Sequence, residues 1–299
     1  MKLQYHVLDV FTARIFRGTP LAVVFAGDAL DGALMQQIAA EFNLSETVFV
    51  LPAGSPTATR RVRIFTPRAE VPFAGHPTIG TALLLARLGA CDLAAEHPQI
   101  VLEEGVGPVA VRISCDNGQA RAAQMAVPQL PEPVASPLTL KQAAELLSLQ
   151  SGDLHPDIRP QAWSCGLPFL YLPLAGVAAV QRARLRLDLW QQWLAPTPAC
   201  NVYPFSFETL DRDAQIHSRM FAPEVGIVED PATGSAAAAL AGLLATVAPS
   251  GAQRWRVEQG IEMGRPARIE LTFRCIQGKA VDLTVGGTAV PVAEGILTV

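Results

Sequence analysis

Charge is scarce in this chain. Charged residues make up 17% of its 299 positions against 50% hydrophobic ones, and the net charge is -4. Lys and Arg nowhere gather into a stripe or block, so nothing favours nucleic acid as a partner. Cysteine is scarce as well: Cys91, Cys115, Cys165, Cys200 and Cys275 are odd in number, far apart and form no CxxC. That pattern argues against a zinc site or a disulfide framework and fits a reducing compartment, so a cytoplasmic protein is expected. Phosphate loops are missing: neither GxGxxG nor GxxxxGK followed by Ser or Thr occurs, and Gly105-Val106-Gly107 runs into Pro108, as a turn does. No HExxH is present and the five histidines are scattered, so no metal and no nucleotide cofactor is expected. The segment Met1–Asp9 lacks the long apolar stretch of a signal peptide. The charge-free run 160–181 holds Pro160, Pro168, Pro173, Gly166 and Gly176, which predicts buried strands and turns rather than a membrane span.

What is present is enough apolar material for sizeable cores, and the length suggests two domains. Residues 3–11 and 21–25 read as strands. Leu34, Met35, Ile38, Ala39 and Phe42 recur at helical spacing, with a stop near Asn43. The β-rich run Thr47–Val50 follows at once, which puts Ser45 and Glu46 at a helix-to-strand junction. A strand is expected over 61–65, a hairpin over 100–113, and a hairpin turn at Asp116-Asn117-Gly118. Pro128, Pro131, Pro133 and Pro137 mark a domain boundary, and a short helix over 140–149 opens the second half.

The two halves echo each other. Arg63-Ile64-Phe65-Thr66-Pro67 leads to His76-Pro77-Thr78-Ile79-Gly80-Thr81 and an apolar helix; Arg219-Met220-Phe221-Ala222-Pro223 leads to Asp230-Pro231-Ala232-Thr233-Gly234-Ser235 and another. The echo implies a duplicated domain and makes Asp230 the pseudo-symmetric mate of His76. Both helices are apolar nearly all round, so each must be enclosed, here by a mostly antiparallel sheet curled about it. The fold class is therefore α+β: two pseudo-symmetric, β-barrel-like domains, each around a central helix. Each helix starts with small residues whose outward N–H groups make a candidate anion site.

Several strings taken together resemble the PhzF-like proteins of phenazine biosynthesis, a branch of the diaminopimelate-epimerase fold. They are Asn43-Leu44-Ser45-Glu46-Thr47, Arg63-x-Phe65-Thr66-Pro67, Glu70-Val71-Pro72-Phe73-Ala74-Gly75-His76-Pro77, Glu229-Asp230-Pro231-Ala232-Thr233-Gly234-Ser235-Ala236 and Gln259-Gly260-x-x-Met263-Gly264-Arg265-Pro266. The resemblance runs in family order over most of the chain. It implies an N-terminal domain of about 1–127 with a returning strand at about 288–299, a C-terminal domain over 128–287, an active site in the cleft between them, and a homodimer.

From the residues alone, Glu46 is either a general acid/base or a Glu that caps a strand start. The resemblance implies the former, as the proton shuttle. His76 is either a helix-start cap or a group that hydrogen-bonds substrate or assists proton transfer, with Asp230 as its mate; the resemblance implies that both contact substrate, and both are carried over as catalytic residues. Gly75, Gly234 and Ser235 would offer N–H groups, and Ser235 a hydroxyl, to a substrate carboxylate; tight helix packing also wants small residues there. Ser45 is a further binding candidate, although a Ser at such a place often satisfies only local backbone. Glu229 reads as structural, Arg63 and Arg219 as ties between strands or loops. Gln259 and Arg265 serve the cleft or a domain interface, and the sequence does not choose between these.

Diaminopimelate epimerase and proline racemase relatives use a cysteine at each helix mouth; here those neighbourhoods carry Ala74-Gly75-His76 and Pro231-Ala232-Thr233. A two-thiol racemase is thereby excluded. One carboxylate suits a cofactor-independent isomerase that moves a proton between carbons of a small carboxylate, as in the family's trans-2,3-dihydro-3-hydroxyanthranilate isomerases. The competing reading is a non-catalytic ligand-binding or scaffold protein that keeps the fold; the joint presence of Glu46, His76 and Asp230 speaks against it.

Overall fold

A computed structural model describes residues 1–27, 30–136 and 138–299. Pro137, one of the boundary prolines, lies outside the described residues. The elements in chain order are β1 (Lys2–Val10), β2 (Thr19–Phe25), α1 (Gly32–Phe42), β3 (Thr47–Leu51), β4 (Arg60–Phe65), β5 (Glu70–Val71), α2 (Gly75–Arg87), β6 (Gln99–Glu104), β7 (Gly107–Asp116) and β8 (Gln119–Ala126). There follow β9 (Glu132–Val134), α3 (Leu140–Leu146), β10 (Gln161–Ser164), β11 (Pro168–Pro173), α4 (Val177–Arg182), α5 (Leu187–Trp193), β12 (Asn201–Ser206), β13 (Ile216–Ser218), α6 (Gly234–Val247), β14 (Gly251–Gln259), β15 (Ala267–Ile276) and β16 (Lys279–Thr298). The charge-free run of the sequence becomes β10, β11 and most of α4. Among the described residues no helix is long and apolar enough to cross a membrane.

The chain divides into two compact units, Met1–Ala126 with Gly286–Val299, and Val127–Val285. In the first, the strand order is β1-β2-β3-β4-β6-β7-β8-β16. The sheet closes into a barrel because β1 also pairs with β16, Lys2 opposite Thr298 through Val10 opposite Ala289. Closure removes the sheet edges that would otherwise need covering. The barrel holds α2, in which every residue from Gly75 to Ala86 is buried; a helix apolar all round has no other stable place. On the outside, α1 lays Met35, Ile38 and Ala39 against Phe49 and Phe65. Asp31 caps its start by accepting from the Leu34 amide, and Asn43 ends it in the left-handed conformation at φ 49°. The turn between β7 and β8 uses Asn117 and Gly118 at φ 50° and 72°, the geometry that makes Asn-Gly a hairpin signal.

The second unit repeats the strand logic of the first. In the first, β1 and β2 are antiparallel, β2 and β3 parallel across α1, β3 and β4 antiparallel, and β4 and β6 parallel across α2. In the second, β10 and β11 are antiparallel, β11 and β12 parallel across α4 and α5, β12 and β13 antiparallel, and β13 and β14 parallel across α6. Each half then ends on an antiparallel run, β6-β7-β8 and β14-β15 with β16 beside it. Here the enclosed helix is α6, where Gly234–Ala245 are buried except Ser235. The fold is α+β, built twice on one plan.

Candidate active site

In the first unit, α1 stops at Asn43 and β3, buried along its whole length, starts at Thr47. The short bend between them draws Glu46 toward the interior, and 19% of its side chain stays exposed. Burial pushes its carboxyl up from 4.5 to about 7, with a hydrogen bond from the Ser45 side chain acting the other way. Glu46 Oε2 lies 3.5 Å from His76 Nε2, within ion-pair range but long for a hydrogen bond. This oxygen is buried and has no hydrogen-bond partner among the described residues.

His76 is the second residue of α2 and is buried. The N-cap of that helix is Ala74, in extended conformation, which supplies no side-chain cap. The mouth of α2 is thus left with main-chain donors and the positive end of the helix dipole beside a carboxyl and an imidazole. Ser45, Glu46, Gly75 and His76 are therefore brought to one place.

In the second unit, Gly234 and Ser235 are the first two residues of α6, and Ser235 is half-buried. The N-cap, Thr233, does not cap the helix with its side chain. Its hydroxyl instead donates to Asp230 Oδ2 at 2.5 Å. Asp230 is buried and sits four residues ahead of the helix.

The expected matching of His76 with Asp230 needs correction. Arg63 holds Glu70 through Nε and Nη2 at 2.7 and 2.6 Å, and Arg219 holds Glu229 in the same two-pronged way at 2.7 and 2.8 Å. Each Arg also lies over the Phe two residues on, Phe65 at 5.1 Å and Phe221 at 4.9 Å. From the paired Glu to the first helical residue is the same distance in both halves, Glu70 to Gly75 and Glu229 to Gly234. In that register His76 matches Ser235, and Asp230 matches Val71. The shared His-Pro and Asp-Pro strings misled because Pro77 lies inside α2 whereas Pro231 lies ahead of α6.

A model of the family described as phenazine biosynthesis-like protein matches residues 8–295. The chain belongs to this family. An uncharacterised isomerase of Mesorhizobium japonicum is 43% identical over 98% of both chains. The trans-2,3-dihydro-3-hydroxyanthranilate isomerase of Pseudomonas aeruginosa is 34% identical, again over 98% of both. The crystal structure of a Bacillus anthracis phenazine biosynthesis protein of the PhzF family covers all of both chains with a TM-score of 0.89 at 25% identity. The Mesorhizobium and Pseudomonas relatives are both named as isomerases, and the chain is an enzyme of that class.

Two residues of this family member escaped the sequence reading. Thr233 stands in the string that carried the resemblance, yet nothing in a string shows that its hydroxyl turns back to Asp230. Glu104 lies in the hairpin expected over 100–113, in phase with the buried Ile100 and Leu102. It is itself buried, accepts a 2.7 Å hydrogen bond from the Thr78 hydroxyl in the first turns of α2, and is pushed up to about 7 by burial against that hydrogen bond.

Proposed function

We propose that this protein is a cofactor-independent isomerase that shifts a proton between two carbons of a small carboxylate, with Glu46 as the carrier. The observation that carries this reading is the Glu46 carboxyl, pushed up to about 7 beside His76. A group that titrates near working pH can both take a proton and give it back. The ionised carboxylate removes a proton from one carbon, the electron pair moves into the adjacent π system, and the same carboxyl returns a proton at the far end. Bonds balance without an oxidant or a reductant: one C–H breaks, another forms, and the double bond moves.

His76 and Asp230 are the other catalytic residues in this reading, as hydrogen-bonding partners that fix the substrate and share the developing charge. Ser45, Gly75, Gly234 and Ser235 bind it, with the helix-mouth N–H groups of Gly75, Gly234 and Ser235 receiving the carboxylate. The two compact units serve as the two domains of the enzyme. The finer reading is that it converts trans-2,3-dihydro-3-hydroxyanthranilate, the substrate in the name of its Pseudomonas relative, as a homodimer in the cytoplasm.

The test is turnover of that compound by the purified protein in D2O. Deuterium is expected at the product carbon, and kcat/KM is expected to rise with pH through about 7, because the base must be ionised to start. Glu46→Gln should fold normally and lose roughly 10²–10⁴-fold in rate, the range for a general acid/base. An active Glu46→Gln enzyme would overturn the mechanism.

A further inference from the structure

The end of β14 carries a fully buried amide. Gln259 is 0% exposed, and each of its polar atoms is engaged. Its Nε2 donates to the Asp230 carbonyl at 2.8 Å and to Thr233 Oγ1 at 3.1 Å. Its Oε1 accepts from the Thr233 amide at 3.3 Å and from the Tyr203 hydroxyl at 3.2 Å. Tyr203 is also fully buried and shares a 2.9 Å hydrogen bond with Ser218. The Asp230 amide in turn donates to the Met220 carbonyl at 3.0 Å. Asp230 is thus held at its amide by one segment, at its carbonyl by Gln259, and at its carboxylate by a Thr233 hydroxyl that Gln259 itself orients. Gly260 makes the arrangement possible: its φ is +77°, and a Cβ there would lie 2.5 Å from the Pro231 carbonyl oxygen, so the strand end can press directly on the Asp230–Pro231 backbone.

The duplication supplies a control. In the first half, β6 also ends in a buried polar residue followed by glycine, and a Cβ on Gly105 would lie 2.7 Å from the Pro72 Cα. Glu104 is therefore the counterpart of Gln259, Gly105 of Gly260, and Pro72 of Pro231. Yet Val71 stands where Asp230 stands, and Glu104 bonds to Thr78 inside the helix. The barrel fold closes without an amide clamp on this loop. The clamp occurs in the half where the loop carries the aspartate.

We propose that Gln259, acting through Thr233, is a positioning residue that fixes the Asp230 carboxylate for substrate. The effect on turnover rests on the reading of Asp230 as a catalytic residue, whereas the clamp itself does not. Two measurements on the full chain separate these. The first is amide hydrogen exchange of the segment 229–236 in the wild type, Gln259→Leu, Thr233→Val and Thr233→Ser. Loss of the buried partner should speed exchange there by about tenfold or more in Gln259→Leu and Thr233→Val, with Thr233→Ser close to wild type and the segment 75–87 unchanged. Should Gln259→Leu fail to fold, Gln259→Glu keeps the acceptor and loses the amide donors, and takes its place. Exchange within about twofold of wild type in the folded variants overturns the clamp.

The second measurement is a double-mutant cycle on turnover of trans-2,3-dihydro-3-hydroxyanthranilate. Gln259→Leu should lower kcat/KM by about tenfold or more in the wild type and by less than about twofold when Asp230 is already Ala. Equal losses in both backgrounds overturn positioning and leave Gln259 a packing residue. If Asp230→Ala is as active as the wild type, the catalytic reading of Asp230 fails while the exchange result stands on its own.

Discussion

Two glutamates with the same pH behaviour occupy different roles in the first unit. Glu46 and Glu104 are each pushed up to about 7 by burial, each against one hydrogen bond, from Ser45 and Thr78 respectively. A carboxyl held above its ordinary 4.5 keeps its proton longer in the folded chain than in the unfolded one. Such a group lowers stability as pH rises from 4.5 to 7, and its cost is complete above 7. In the proposed mechanism this cost has a use at Glu46, whose proton is the one to be moved. Glu104 has no reacting neighbour, and a glutamine, the residue at its counterpart Gln259, should serve in its place. Glu104→Gln is expected to leave stability at pH 4.5 unchanged and to raise it at pH 8 by up to about 3 kcal/mol. Urea unfolding at the two pH values checks this. An unchanged fall in stability between them would show that Glu104 is not the titrating group.

At the level of elements, the Arg-x-Phe-x-Pro motif is a strut made twice and buried to different depths. Arg63 and Glu70 keep 34% and 43% of their side chains exposed, so water screens the pair. Arg219 and Glu229 keep 5% and 15%, and Arg219 also donates to the Val180 and Ala183 carbonyls at the end of α4. The second strut therefore ties strand, helix end and the loop before α6 together. Removing one partner from a buried pair leaves the other charge stranded. Glu229→Gln should cost about 3 kcal/mol or more, and Glu70→Gln no more than about 1 kcal/mol, by chemical denaturation. Equal costs would mean that burial does not distinguish the two struts.

For the molecule as a whole, one plan executed twice gives two helix mouths, and neither carries a thiol. The five cysteines lie elsewhere, and three of them are made less reactive by their surroundings. Burial pushes the Cys165 thiol up to about 12. Cys200 goes to about 12 through burial and then through its hydrogen bond to Glu224. Cys91 is also raised, by burial first. A thiol that stays protonated is neither base nor nucleophile. Replacing each cysteine in turn by Ala or Ser should leave kcat within about twofold wherever the protein remains folded, since no general acid/base term of 10²–10⁴ is removed. Abolished activity in a well-folded single-cysteine variant would refute the one-carboxylate mechanism.

The sequence by itself determined the element plan. Period and turn chemistry are local, so the strand–helix–strand passage around Ser45 and Glu46, the Asn117-Gly118 hairpin and the two enclosed helices follow from residues near one another in the chain. The duplication was legible too, because each half repeats a strand-end Arg-x-Phe-x-Pro ahead of an apolar helix. Its register was not. Aligning His76-Pro77 with Asp230-Pro231 matched letters, whereas the matching positions follow from which Glu each Arg grips and where each helix begins. Ion pairs and helix starts are set by packing, and a loop three residues longer in the second half hides the correspondence from the string. Burial likewise was decided only in three dimensions. Glu104 shares the inward parity of Ile100 and Leu102 in β6, yet only the closed barrel decides that the strand end is covered, and Gln259 faces Asp230 only because Gly260 lets two distant backbones touch. A carboxyl's proton affinity and an amide's partners depend on what surrounds them, and that is fixed by contacts between residues far apart in sequence.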